Sequence, residues 1–184
     1  MTKQKKFIND IIVFDAHCDT ANVLYDQLAY PIKQNRKHFD LIKAKIGGLN
    51  AQIFALYVHP AYAPYRSIKK ALLLYTTLEN KLFSLEDVVK VTSTVDMKLA
   101  LKKKKLACWL SLEGGHIIEN SVEMLELFYQ LGIRCMTLTH SKNTDWADSS
   151  GDKPQHDGLN KLGRTIIQKM NDLRMVIDVS LVVF

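Results

Sequence analysis

The sequence has no Cys-x-x-Cys pair, no glycine-rich phosphate loop behind its first apolar segment, no internal repeat and no long uninterrupted apolar run. Each absence removes a class. Cys18, Cys108 and Cys135 stand singly in strand-like segments, an odd set of thiols that argues against a disulfide framework and for a reducing compartment. No stretch reaches the ~18 apolar residues that cross a bilayer. The basic start, Lys3, Lys5 and Lys6, leads into a segment interrupted by Asn9 and Asp10, with no small-residue cleavage site. A soluble, cytoplasmic protein without a membrane partner is expected. The 25 basic and 19 acidic residues leave a formal charge of only +6, and no aromatics interleave the run Lys102 to Lys105. That run reads as a solvated face, and nucleic acid is not an expected partner.

What is present is a globular core. At 184 residues and 47% hydrophobic content the chain suits one domain spanning 1–184. Apolar runs recur with helical stretches between them. Ile11 to Phe14 reads as a buried first strand, and 20–46 as helical or irregular up to the break at Gly47-Gly48. Ala51 to Val58 is a second strand, closed by His59 and Pro60. Ser67 is placed to cap a helix whose stripe is Ile68, Ala71, Leu72, Tyr75, Leu78 and Leu82. Val88 to Thr92 is a short extended piece, and Ser93 or Thr94 caps the helix that follows. Leu106 to Leu112 is the third strand, Ser121 to Leu131 a helix stopped by Gly132, and Ile133 to His140 the fourth strand. A polar loop over 141–157 precedes a helix with Leu159, Leu162, Ile166, Ile167, Met170 and Leu173 on one face. Met175 to Ser180 is the fifth strand.

Apolar strands that do not alternate, separated by helices, describe an α/β protein with a parallel sheet covered by helices. Polar groups gather where strands end: His17 and Asp19, Glu113, His140 and Asp178. Barrels of the (β/α)8 kind build their sites at such ends. A doubly wound sheet also fits, but it would more often carry a phosphate loop after its first strand. On an extended segment His17 and Asp19 point the same way and Cys18 the other, so an imidazole and a carboxylate can share one divalent ion. Taken alone, the same residues suit a core histidine and a helix cap, and Glu113 before Gly114-Gly115 suits a turn.

Together these motifs resemble the zinc-dependent membrane dipeptidases, also called renal-type dipeptidases. The resemblance is carried by Asp15-Ala16-His17-Cys18-Asp19, Gly47-Gly48 with Ala51-Gln52, and Leu112-Glu113-Gly114-Gly115. It continues through Leu138-Thr139-His140-Ser141 with Asn143, Trp146-Ala147-Asp148, Gly158-Leu159 with Gly163-Arg164, and Met170-Asn171 leading to Ile177-Asp178-Val179-Ser180. It implies a (β/α)8 TIM barrel, of which this chain would hold about the first five strands and their helices. It also implies a dipeptide substrate, two zinc ions per site and possible homodimers. His17 and Asp19 would hold one zinc and Glu113 would bridge both. His140 would contact the substrate and help stabilise the tetrahedral intermediate. A pair of metals can activate water and polarise the scissile carbonyl together. Trp146 and Asp148 would shape the loop over the site, and Cys18 would pack rather than ligate.

One departure weighs against activity. Where the family follows its Asp-Val-Ser stretch with a histidine for the second zinc, this sequence has Leu181. A further zinc histidine, a substrate-carboxylate arginine and a late catalytic aspartate are expected beyond Phe184. The expectation is therefore a truncated, inactive fragment holding at most one zinc, or a non-catalytic remnant. Another metal-dependent barrel hydrolase of the amidohydrolase kind is the alternative, although that group usually opens with His-x-His where this chain has His17-Cys18-Asp19.

Overall fold

The computed structural model describes residues 11–27 and 29–183, so the expectations resting on Lys3, Lys5, Lys6, Asn9, Asp10 and Phe184 lie outside the described residues. The elements follow in order as β1 (Val13–Asp15), α1 (Thr20–Asp26), α2 (Leu41–Ile46), β2 (Leu49–Tyr57), α3 (Ser67–Lys81), β3 (Val88–Lys90), α4 (Thr94–Lys102), β4 (Leu106–Glu113), α5 (Val122–Gln130), β5 (Ile133–Thr137), α6 (Lys161–Asp172) and β6 (Val176–Asp178). The strands form one sheet in the order β1-β2-β4-β5-β6, with β3 paired to β4. The pairings β1–β2, β3–β4, β4–β5 and β5–β6 are all parallel. This is the α/β alternation read from the apolar runs, with six strands rather than five among the described residues. The added one is β3, which lies within the short extended piece read over 88–92 and is not counted there as a strand.

The chain separates into two compact units, Met1–Ala55 with Tyr75–Trp109, and Leu56–Leu74 with Leu110–Phe184. In the first, Ala51, Val91, Ala100 and Ala107 form a small-residue core against which Val89, Met97 and Trp109 pack. Ser93 starts α4 by accepting from Asp96 N–H at 3.1 Å, and the Asp96 carboxylate accepts from Thr92 N–H at 3.2 Å. Two orphan donors of the helix start are thus satisfied within five residues. In the second unit α5 packs on β5 and α6 on β6. Their apolar faces bury Leu125, Phe128, Ile166 and Met170 completely. Ser121 and Asn160 cap these helices, accepting from Met124 and Gly163 N–H at 3.1 Å each. Gly132, at φ 101°, ends α5 in a conformation that costs a residue with a Cβ.

Three expectations change. β1 is not buried: Phe14 is 44% exposed, because among the described residues β1 ends the sheet order and pairs with β2 alone. β5 stops at Thr137, which leaves Thr139 and His140 on the loop beyond it. Ser67 does not cap α3 from outside but is its first residue. The cap comes from Glu119, whose Oε1 accepts from Ser67 N–H at 2.7 Å and Ile68 N–H at 3.2 Å.

Candidate active site

The loop after β1 is pinned to β2 on two sides. Cys18 C=O accepts from Ala55 N–H at 3.0 Å, and Gln52 Nε2 donates to Asp15 C=O at 3.3 Å. His17 N–H donates to Asp15 Oδ1 at 3.2 Å. Asp19 stands at the position that precedes α1, yet its side chain makes no capping bond to that helix. Its Oδ1 lies 3.4 Å from His17 Nε2 instead, with both side chains well exposed. The helix-cap alternative for Asp19 is thereby removed. Cys18 turns its thiol to Thr20 Oγ1, 2.9 Å away, and burial raises it above the ordinary cysteine range. Burial also raises Cys108, and it pushes Cys135 up to about 12, so all three stay thiols at neutral pH.

In the second unit Glu113 is the last residue of β4, and its Oε1 lies 3.3 Å from His140 Nε2. The His140 ring rests against Tyr57 at the end of β2, centroids 4.8 Å apart and tilted by 50°. His140 Nδ1 is buried without a hydrogen-bond partner among the described residues. If the neutral ring donates from Nε2 to Glu113, an acceptor is left at Nδ1. The structure thus brings His17 to Asp19 and Glu113 to His140, as pairs at strand ends. Tyr57 was not among the expected site residues. Its place at a strand end, among the polar groups gathered there, is the signal that could have found it.

Glycines make the Glu113 turn possible. Gly114 has φ 106°, and a Cβ there would meet the His116 ring at 2.5 Å. A Cβ on Gly115 would fall 2.3 Å from Trp146 Cζ2 and 2.5 Å from Leu138 C=O. His116 Nε2 lies 2.8 Å from Val58 C=O. Burial lowers its pKa although that contact works the other way, so the ring is neutral at pH 7 and Nε2–H donates.

The polar loop is organised by Asp148, which is fully buried. Its carboxylate accepts from Gln155 N–H at 2.8 Å, His156 N–H at 2.9 Å and Gly158 N–H at 3.1 Å. Burial alone would raise this carboxyl, but the three donors outweigh it and hold it below the usual range. Asp178, after β6 begins its turn, accepts from Thr137 Oγ1 at 2.7 Å and Ser180 N–H at 2.9 Å. Leu181 C=O is held by Thr139 Oγ1 at 2.6 Å and Ser150 N–H at 3.0 Å. A backbone group is fixed there, and the side chain at that position is aliphatic.

Comparison with known proteins bears on the family and the fold. The chain is 28% identical over 190 residues to dipeptidase 3 of Macaca fascicularis, covering 97% of this chain and 38% of that protein. It is 29% identical over 177 residues to dipeptidase 3 of Homo sapiens, covering 90% and 36%. The chain therefore spans well under half the length of these curated relatives. Among solved structures, the probable dipeptidase PvdM of Pseudomonas aeruginosa superposes with a TM-score of 0.85 at 22% identity, over 97% of this chain and 48% of that one. A metallopeptidase of Rhodobacter sphaeroides, solved with a phosphinate mimic of the dipeptide L-Ala-D-Ala, gives 0.78 at 20% identity, over 94% and 59%. At these identities the structures show the fold, a part of the (β/α)8 barrel on which those dipeptidases are built. The family model for membrane dipeptidases matches residues 1–183, and this chain belongs to that family, peptidase family M19.

Proposed function

We propose that this chain serves a zinc-dependent hydrolase of dipeptides, and that 1–184 is one domain, the N-terminal part of a metallo-dipeptidase barrel. In this reading, which rests on membership of the family, His17, Asp19 and Glu113 hold one divalent ion. The donor set suits zinc: one imidazole and two carboxylates, with water free to complete four ligands. The 3.4 Å between His17 Nε2 and Asp19 Oδ1 also fits, since ligands at ~2.0–2.1 Å around a tetrahedral ion stand ~3.3 Å apart. A bound zinc would polarise the scissile carbonyl and lower the pKa of water. The residues of the chain do the rest. Glu113 supplies an anion at the end of β4 and takes a proton contact from His140 Nε2. His140, held by the Tyr57 ring, steadies charge on the carbonyl oxygen in the tetrahedral intermediate by turning its Nε2–H from Glu113, once that carboxylate is committed to the metal, to the substrate oxygen.

The observation that carries the reading is the 3.3 Å approach of His140 Nε2 to Glu113 Oε1, the two residues assigned to catalysis. A second zinc is not part of the proposal for this chain, because Leu181 occupies the position where the family places an imidazole. Hydrolysis by 1–184 alone should accordingly be absent or very slow. The free thiols suit a reducing cytoplasm, and among the described residues no helix is long and apolar enough to cross a membrane.

The test is zinc titration and dipeptide hydrolysis with the purified chain, beside Glu113→Ala and His140→Ala. One zinc per chain is expected, lost in Glu113→Ala and retained in His140→Ala. Two tightly retained zincs with zinc-dependent turnover would overturn the one-metal assignment. Zinc binding indifferent to Glu113 would overturn the ligand set.

A further inference from the structure

The lysines that make the chain basic are not evenly spread. Lys33, Lys45, Lys104 and Lys105 line one cavity of about 510 Å³ in the first unit, and Asp87 is the one carboxylate on its wall. Among the described residues none of these four lysines is in a salt bridge. Apart from Asn50, the side chains of the rest of the wall are apolar: Leu41, Ala44 and Leu106 are buried, and Leu101 is half-buried. An apolar floor under a rim with a net charge of +3 (four lysines less one aspartate) is a composition for an anion with an apolar body.

Two chain reversals build this cavity. α2 ends at Gly47, and Gly48, at φ 74°, turns the chain into β2, so that Leu49 and Asn50 form one wall. Asn50 Oδ1 already accepts from Val13 N–H at 2.7 Å, which leaves the amide nitrogen as the group it can offer a ligand. α4 ends with Lys104 N–H donating to Leu101 C=O at 2.9 Å and Lys105 N–H to Ala100 C=O at 3.0 Å. This is the helix-ending turn in which the residue at positive φ is usually glycine, and Lys104 takes it at φ 56°. The turn delivers two consecutive lysines beside the first residue of β4. Leu106 N–H donates to Asp87 C=O at 3.0 Å, which closes the wall. The cavity lies at the N-terminal ends of β2 and β4, whereas His17 and Asp19 follow the C-terminal end of β1.

We propose that this cavity binds a small organic phosphate, a phosphate monoester on an aromatic or short aliphatic body. The dianion answers the lysine rim and the Asn50 donor, the body answers Leu41, Leu101 and Leu106, and the volume suits a small molecule. A lipid phosphate presents the same headgroup chemistry, and a free phosphate the charge without the body. This site is independent of the dipeptidase reading.

The experiment follows backbone amide shifts of the full chain during titration with phenyl phosphate, inorganic phosphate and benzyl alcohol. Co-sedimentation with phosphatidic acid vesicles forms a separate arm. Phenyl phosphate should bind saturably, shifting Gly48, Asn50, Lys104 and Lys105, and should weaken as salt rises. Inorganic phosphate should bind at least tenfold more weakly, and benzyl alcohol should leave these amides unmoved. Lys104→Gly with Lys105→Gln should weaken phenyl phosphate at least tenfold, and the glycine suits the positive φ, so the fold should survive. Lys33→Gln, in a loop, gives the same test at a second place with a smaller loss. Phenyl phosphate binding unchanged in these variants, or no saturable shift at the four amides, overturns the proposal. Vesicle binding without phenyl phosphate binding overturns it too.

Discussion

Asp19 stands where a helix cap belongs and gives its carboxylate to His17, 3.4 Å away, in place of the first-turn amides of α1. A capping aspartate is worth ~1 kcal/mol to a helix, so this arrangement leaves a local contribution unused. It leaves two ligand atoms side by side on an exposed loop.

Zinc affinity should therefore depend on this pair while stability does not. Asp19→Ala and His17→Ala should each weaken zinc at least as much as the ~10–100-fold that loss of an outer-shell partner costs. Neither should shift the urea midpoint of the metal-free chain measurably. Isothermal titration of zinc and urea unfolding in chelator check both halves. A destabilised Asp19→Ala with unchanged zinc affinity would return the residue to a structural role.

Gly163→Ala reverses the usual sign of a helix substitution. In α6 an alanine would ordinarily gain ~1 kcal/mol over glycine. Here the new Cβ would lie 2.5 Å from Trp146 C=O, a backbone atom of the loop packed on the helix. Overpacking of this kind costs ~1–3 kcal/mol, so the net change should be destabilising. A lowered thermal midpoint is expected, with far-UV helix content retained below it.

The parts of the fold that carry long apolar runs were legible in the sequence: β2, β4 and β5 announce themselves because each buries four or more residues. β3 was legible only as a short extended piece over 88–92, since its three residues carry no period. Nor could the runs show that β1 is an edge, because exposure of Phe14 depends on which strands pair. Of the candidate site residues, His17 and Asp19 were readable as neighbours on one side of an extended segment, and Glu113 and His140 only as separate polar groups near strand ends. Tyr57 against His140 was not, for it joins positions 57 and 140 through the tertiary fold. Glu119 shows the same limit: nothing near Ser67 says that its amide is capped from residue 119.

That cap gives a further test. Glu119→Ala removes the carboxylate that accepts from Ser67 and Ile68 N–H, and a lost cap typically costs ~1 kcal/mol. Glu119 also sits at φ 47°, where glycine is easier. Glu119→Gly should thus be less damaging than Glu119→Ala, although both lose the carboxylate. Urea midpoints of wild type and the two variants decide it: both variants level with wild type would mean that the cap contributes little, and alanine tolerated better than glycine that the positive φ does.

The last prediction concerns acid. Asp148 is buried, which taken alone favours the neutral carboxyl, yet the amides of Gln155, His156 and Gly158 hold it below its ordinary range. A carboxyl whose folded pKa is depressed binds fewer protons in the folded chain than in the unfolded one. Its contribution is then fully present above the unfolded value of ~3.9 and disappears as pH falls through the lower folded value. Protonation strips three amides of a charged acceptor at once, and the acceptor itself is fully buried. Acid should therefore loosen 141–158 first, where Asp148 C=O also accepts from Val183 N–H at 3.1 Å and its N–H donates to Gly158 C=O at 2.9 Å. Asp148→Asn keeps the shape but offers one weaker oxygen, so it should be destabilised at pH 7 and lose this part of the slope between pH 5 and pH 2. Asp40 is also held low, chiefly by Lys43 N–H, and serves as the control with the same sign elsewhere in the chain. Hydrogen exchange across a pH series, wild type against Asp148→Asn, separates the two. If wild-type amides at 155–158 keep their protection at pH 2, or if Asp148→Asn keeps the full acid slope, the loop is held by something other than this carboxylate.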